Sequence, residues 1–152
     1  VLAAVTKGGS ALQFVCGRLN DERDIVLMAA RTYPEALAYA SEALRSKARF
    51  VMDVAKENPE TLQHAPADFV GDRHFMKAVA KHSPKALEFA PKELRGDAEW
   101  ISEIAVLHVD ALAYATDQLR DHGEFVTFVV QGQGRALQHA SERLRADEGV
   151  VE

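Results

Sequence analysis

The chain has 152 residues, 47% of them hydrophobic and 27% charged, the composition of a globular protein and not of a disordered one. Its formal net charge of −5 gives no long-range attraction to nucleic acid or to an anionic membrane. No apolar run approaches a membrane span, and no stretch has the pattern of a signal peptide. One cysteine, Cys16, has no internal partner for a disulfide, which favours a reducing intracellular compartment, the cytoplasm foremost. The lack of an initiator methionine marks the chain as processed or as an excerpt.

Taken in chain order, residues 1–10, VLAAVTKGGS, match the closing part of a helix whose start is missing. From there the chain repeats. Units open at Ala11 (ALQFVCGRLN), Ala36 (ALAYASEALR), Thr61 (TLQHAPADFV), Ala86 (ALEFAPKELR), Ala111 (ALAYATDQLR) and Ala136 (ALQHASERLR), 25 residues apart each time. An unbroken period of that length is the mark of stacked supersecondary units, each too small to bury a core alone. Residues 146–152, ADEGVVE, match only the start of another helix, so a partial unit stands at each end. Residues 1–152 are therefore expected to form one all-α array, a helical-repeat solenoid of about six two-helix units, open at both ends. Open ends are covered by flanking repeats, by partners or by self-association.

Each unit begins with a short helix carrying small and bulky apolar residues, such as Ala36, Leu37 and Ala40, with Leu87 and Leu112 at the Leu37 place in later copies. Pro66 and Pro91 fall where other copies have Cys16, Ser41, Thr116 or Ser141, and proline turns its predecessor away from helix. The expectation is a short helix, a break, and one further turn ending at Leu44 or its counterparts Leu19, Phe69, Leu94, Leu119 and Leu144. A second helix follows. Its apolar residues recur as Ile25, Val26, Ala29 and Ala30; Phe50, Val51, Val54 and Ala55; Phe75, Met76, Val79 and Ala80; Trp100, Ile101, Ile104 and Ala105; and Phe125, Val126, Val129 and Val130. Their offsets place them on one helical face, which must be buried. Asp21, Ser46, Asp72, Asp97 and Asp121 stand just ahead and are read as N-caps. Pro34, Pro59 and Pro84 punctuate the turn that follows, where proline suits the first turn of the next helix.

The phrase ALxYAS followed by LR, then an acid, an aromatic–valine pair and a helix such as RFVMDVAKENP, resembles domain of unknown function 4116. ALAYASEALR, ALAYATDQLR and ALQHASERLR carry the resemblance most closely, and it spans essentially the whole chain. It implies tandem short helical repeats that serve as interaction or scaffold modules without catalytic residues. Phe69-Val70 in place of Leu-Arg, and Pro66 and Pro91 in place of Ser, depart from the pattern.

Candidate chemistry is sparse. Of six histidines, His64 and His139 occupy the place filled elsewhere by Phe14, Tyr39, Phe89 and Tyr114, so packing is their expected role. No HExxH pattern or close His/Cys/acid cluster suggests a metal site, and His82 beside Ser83 has no visible third member of a triad. Glu99 and Glu103, like Asp53 and Glu57, lie one helical turn apart with no adjacent apolar pocket to raise a proton affinity. Cys16 reads as a small buried substitute for Ser or Pro, and GQGR at 132–135 has neither a Walker lysine nor a preceding strand. No cofactor and no enzymatic activity are expected.

The most regular polar feature is an arginine column, Arg45, Arg95, Arg120 and Arg145. Pairing with nearby acids is its favoured role; the alternative is to bind an acidic peptide or an RNA or DNA backbone. Asp and Glu lie close by in most units, and no repeated pair of base-reading residues is present. The reading is thus a scaffold presenting one face to a protein partner. Phosphate-backbone binding ranks second and an enzyme with an unrecognised site third.

Overall fold

A computed structural model describes residues 18–147. The first seven residues of the unit opening at Ala11, Phe14 and Cys16 among them, the VTKGGS turn and the last residues of the closing partial unit lie outside the described residues. The described residues are helical, with no strand among them. The chain divides into two compact units, the first ending at Phe89 and the second beginning at Ala90.

In the first unit a short 3-10 turn, Arg18–Asp21, leads into α1 (Arg23–Ala30), α2 (Ala36–Tyr39), α3 (Glu42–Arg45) and α4 (Ala48–Glu57). A 3-10 segment, Pro59–His64, then precedes α5 (Ala67–Gly71), α6 (Arg73–Ala80) and a second 3-10 segment, Pro84–Phe89. The second unit holds α7 (Lys92–Arg95), α8 (Ala98–Ala105), the 3-10 segment Val109–Tyr114, α9 (Asp117–Arg120), α10 (Gly123–Gly132), the 3-10 segment Gly134–His139 and α11 (Glu142–Arg145).

Within each unit, long helices pack on the next long helix and short segments on the next short segment. In the first unit α1 meets α4, α4 meets α6, and Pro59–His64 lies against Pro84–Phe89. In the second, α8 meets α10 and Val109–Tyr114 lies against Gly134–His139. These periodic long-range contacts are consistent with a repeat solenoid.

Leu37, Ala40, Leu44, Phe50, Val51, Val54, Phe75, Val79 and Leu87 are buried in the first unit, as are Trp100, Ile101, Ile104, Leu112, Phe125 and Val129 in the second. Each bulky member contributes about 1.5–3 kcal/mol by leaving water. Ala36, Ala86, Ala111 and Ala136 are also fully enclosed, since only a small side chain lets neighbouring segments approach this closely. Thr61 takes the same place and is buried; its hydroxyl donates to the Asn58 carbonyl at 2.8 Å, so no polar group is left unpaired there.

The break after the first short segment occurs with or without proline. Ala40 and Ser41 are extended (φ, ψ of −62°, 154° and −59°, 151°), and so are Ala115 and Thr116 (−63°, 158° and −63°, 155°), much as Ala65 and Pro66 are (−75°, 151° and −54°, 136°). The physical cause shared by these copies is the one-turn helix that follows. Ser41, Thr116 and Ser141 accept hydrogen bonds from the Leu44, Leu119 and Leu144 amides at 3.2, 3.4 and 3.3 Å. A capping residue needs extended backbone to do this. Pro66 and Pro91 have no side-chain acceptor, and they supply the extended geometry through their rings.

The cap assignment needs a correction. Asp72 and Asp97 do cap, accepting from the Phe75 and Trp100 amides at 2.6 and 2.9 Å. The other three do not. The residues at the start of the matching helices are Glu22, Lys47 and His122, and only His122 caps by side chain, accepting at Nδ1 from the Phe125 amide at 3.3 Å. Asp21, Ser46 and Asp121 stand one residue too early to reach those amides. Pro34 likewise lies in the turn before α2, ahead of its first residue.

Candidate interaction surface

Asp21 and Asp121 serve as ties between successive copies. The Ser41 hydroxyl donates to Asp21, and the Ser41 amide donates to the Asn20 carbonyl at 2.8 Å. The same arrangement returns at Ser141, whose hydroxyl donates to Asp121 at 2.5 Å and whose amide donates to the Arg120 carbonyl at 3.0 Å. Arg143 adds Nε to the Asp121 carboxylate at 3.0 Å and Nη2 to its carbonyl at 2.8 Å. The hydrogen bond from Ser141, then that from Arg143, holds the Asp121 carboxyl below its ordinary range.

The arginine column is divided between the units, with Arg45 in the first and Arg95, Arg120 and Arg145 in the second. None of them forms an open cationic row. Arg95 turns inward, its Nε donating to the Ala90 carbonyl at 3.1 Å. Arg120 pairs with Asp117, and Arg145 lies 3.9 Å from Glu142. A groove of about 420 Å³ brings Arg120 and Arg145 together, yet Asp117, Asp121 and Glu142 line it too. Arg45 Nε and Arg120 Nε are buried without a hydrogen-bond partner.

The remaining candidates resolve into structural roles. Asp53 pairs with Arg23 at 2.5 Å and Glu57 with Arg31 at 3.0 Å, so that acidic pair links α4 to α1. Lys85 reaches Glu60 at 2.6 Å. His139 contacts Asp110 at 3.2 Å, and His64 is half-buried with Nε2 unpaired. Among the described residues no group of His, Cys, Asp and Glu could hold a metal ion. None of their helices is long and apolar enough to cross a membrane.

One surface was missed by sequence reasoning. Val106, Leu107 and Phe128 are 67%, 56% and 63% exposed, far more than the buried stripe they adjoin. Val106 stands where other copies carry Arg31, Lys56 and Lys81, Leu107 where they carry Thr32, Glu57 and His82, and Phe128 where they carry Met28, Asp53, Ala78 and Glu103. Between α8 and α10 lies a groove of about 310 Å³, lined by Ala105, Val106, Phe128, Val129 and Gly132, with Gln133 at its edge. Gln133 Nε2 donates to the Val106 carbonyl at 2.7 Å and fixes that edge. Where the first unit joins α1 to α4 by ion pairs, the second leaves an apolar cleft. The signal was available as a break in the repeat: an apolar residue, Val106, at the place held by Arg31, Lys56 and Lys81.

Compared with known proteins, residues 1–45 and 49–95 match a family model described as "Domain of unknown function (DUF4116)". No curated protein and no solved structure matches the chain.

Proposed function

The chain belongs to the DUF4116 family, and with that as premise we propose that it is a non-enzymatic module for protein–protein interaction, a segment or subunit of a larger assembly. We read its full organisation as six 25-residue units, opening at Ala11, Ala36, Thr61, Ala86, Ala111 and Ala136. The observation that carries the proposal is the contrast between buried and outward positions. Buried places keep a small or apolar residue in nearly every copy, as at Ala36, Ala86, Ala111 and Ala136, whereas the outward place at Val106 holds Arg31, Lys56 and Lys81 in other copies, and Leu107 and Phe128 are large exposed apolar residues at places whose polarity varies. Packing alone does not ask for exposed apolar residues there; a partner does.

A phosphate-backbone role for the arginine column is the second reading, supported by the unpartnered Nε atoms of Arg45 and Arg120. The carboxylates beside Arg120 and Arg145 weigh against it, because they already neutralise those heads. To test the ranking, the purified chain is used to capture molecules from native extract, which are released at graded salt. An Arg95→Glu/Arg120→Glu variant is the matched control. A stoichiometric protein held at moderate salt by both forms is the expected result. RNA or DNA enriched by the wild type and lost from the variant would reverse the order.

A further inference from the structure

We infer that the α8/α10 cleft is a docking site for an amphipathic helix whose apolar stripe is flanked by lysine or arginine. The inference rests on the interaction reading above and gives it a place and a partner chemistry.

Two observations carry it. The first is the cleft itself, with Phe128 and Val106 standing exposed on either side of an apolar floor that includes Ala105 and Val129. An apolar cleft between two packed helices accepts a third helix that inserts side chains at successive turns. The second is charge. Glu99 on α8 and Val106, which follows its last residue, lie at helical spacing on the outward face; on α10, Glu124 and Phe128 do the same. Glu99 and Glu124 are exposed, and neither α8 nor α10 contains a lysine or arginine. The equivalent helices of the first unit differ, with Arg49 and Lys56 on α4 and Arg73 and Lys77 on α6. The two helices that form the cleft therefore carry acid and no base, with Glu99 and Glu124 exposed on the turns that precede its neutral polar edge of Ser102, Gln131 and Gln133, a balance that favours a basic rim over an acidic one.

The test uses the full chain and two labelled amphipathic peptides, one of leucine and lysine and one of leucine and glutamate, followed by fluorescence anisotropy. Val106→Lys and Phe128→Asp place in the cleft the residue types that matching positions hold at Lys56, Lys81 and Asp53, so both variants are expected to keep the wild-type circular dichroism and melting temperature. The expected result is binding of the leucine–lysine peptide, weakened about tenfold or more by either variant, as loss of a central apolar anchor implies. Glu99→Lys/Glu124→Lys should transfer preference to the leucine–glutamate peptide. Equal binding of both peptides by the wild type, or binding unchanged in the Phe128→Asp variant, would overturn the site. So would concentration-dependent self-association abolished by Phe128→Asp, which would make a second copy of the chain the occupant. A protein captured from extract and held equally by wild type and the Phe128→Asp variant would leave the general interaction role standing while removing this cleft from it.

Discussion

Asp121 combines three contacts that a surface carboxylate rarely has at once: the Ser141 hydroxyl, the Arg143 guanidinium, and a main-chain carbonyl that binds the same arginine. The Ser141 hydroxyl and then the Arg143 guanidinium favour the ionised carboxylate, so the folded-state pKa lies below that of the unfolded chain. Such a group stabilises the fold in full above the ordinary carboxylate range near pH ~4, and the benefit disappears as pH falls through the lowered folded value. The Asp121→Asn variant should consequently melt below the wild type at neutral pH, and the gap should close on acidification. Thermal melts of both proteins across that range check this; a gap that stays constant with pH would show that the charge of Asp121 is irrelevant. The arginines of the column behave differently. Arg95 spends its Nε on a main-chain carbonyl and Arg120 its head on Asp117, whereas Arg145 is exposed and lies 3.9 Å from Glu142.

The break between the short segments and the one-turn helices shows how two chemistries reach one geometry. Serine or threonine supplies an amide to the previous copy and a hydroxyl cap to the next turn, whereas proline supplies only the extended backbone. Pro66→Ser would restore both hydrogen bonds, to the Arg45 carbonyl and from the Phe69 amide, by the pattern of Ser41 and Ser141. A cap is worth about 1 kcal/mol, and surrendering proline costs about 0.4–1 kcal/mol through the unfolded chain. With the added inter-copy bond of about 0.5–1.5 kcal/mol, the variant should gain about 1 kcal/mol in urea unfolding. A loss of stability would mean that the Arg45 carbonyl is not within reach. Much at this level was readable beforehand, because apolar offsets of zero, one, four and five recur so regularly that Phe50, Phe75, Trp100 and Phe125 mark the same buried place. The caps were not, since Asp21 and Asp72 look alike in isolation and differ by one residue in register; only geometry separates a tie from a cap. Val106, Leu107 and Phe128 escaped for a related reason. They extend the apolar stretches of α8 and α10, and composition does not tell a core residue from an exposed one.

Stability in such a fold is a sum over neighbours, as at α4, which packs against both α1 and α6. The second unit offers a clean test, because Ile104 on α8 is fully enclosed while α8 packs against α10 and the segment Val109–Tyr114. Ile104→Ala removes a branched side chain from that junction and leaves a cavity, which should cost about 2–5 kcal/mol. The distribution of the loss matters more than its size. Under a nearest-neighbour scheme, hydrogen exchange should accelerate most for amides of α8, α10 and Val109–Tyr114, and least for α1, which shares no junction with the substituted residue. In a chain that unfolds as one cooperative block, the slowest-exchanging amides of α1, those that open only on global unfolding, would accelerate by the same factor as those of α8. Equal acceleration would therefore contradict stepwise stabilisation. A graded response would explain how outward places such as Val106 and Phe128 can depart from the repeat without disturbing distant copies, since each junction bears its own packing cost.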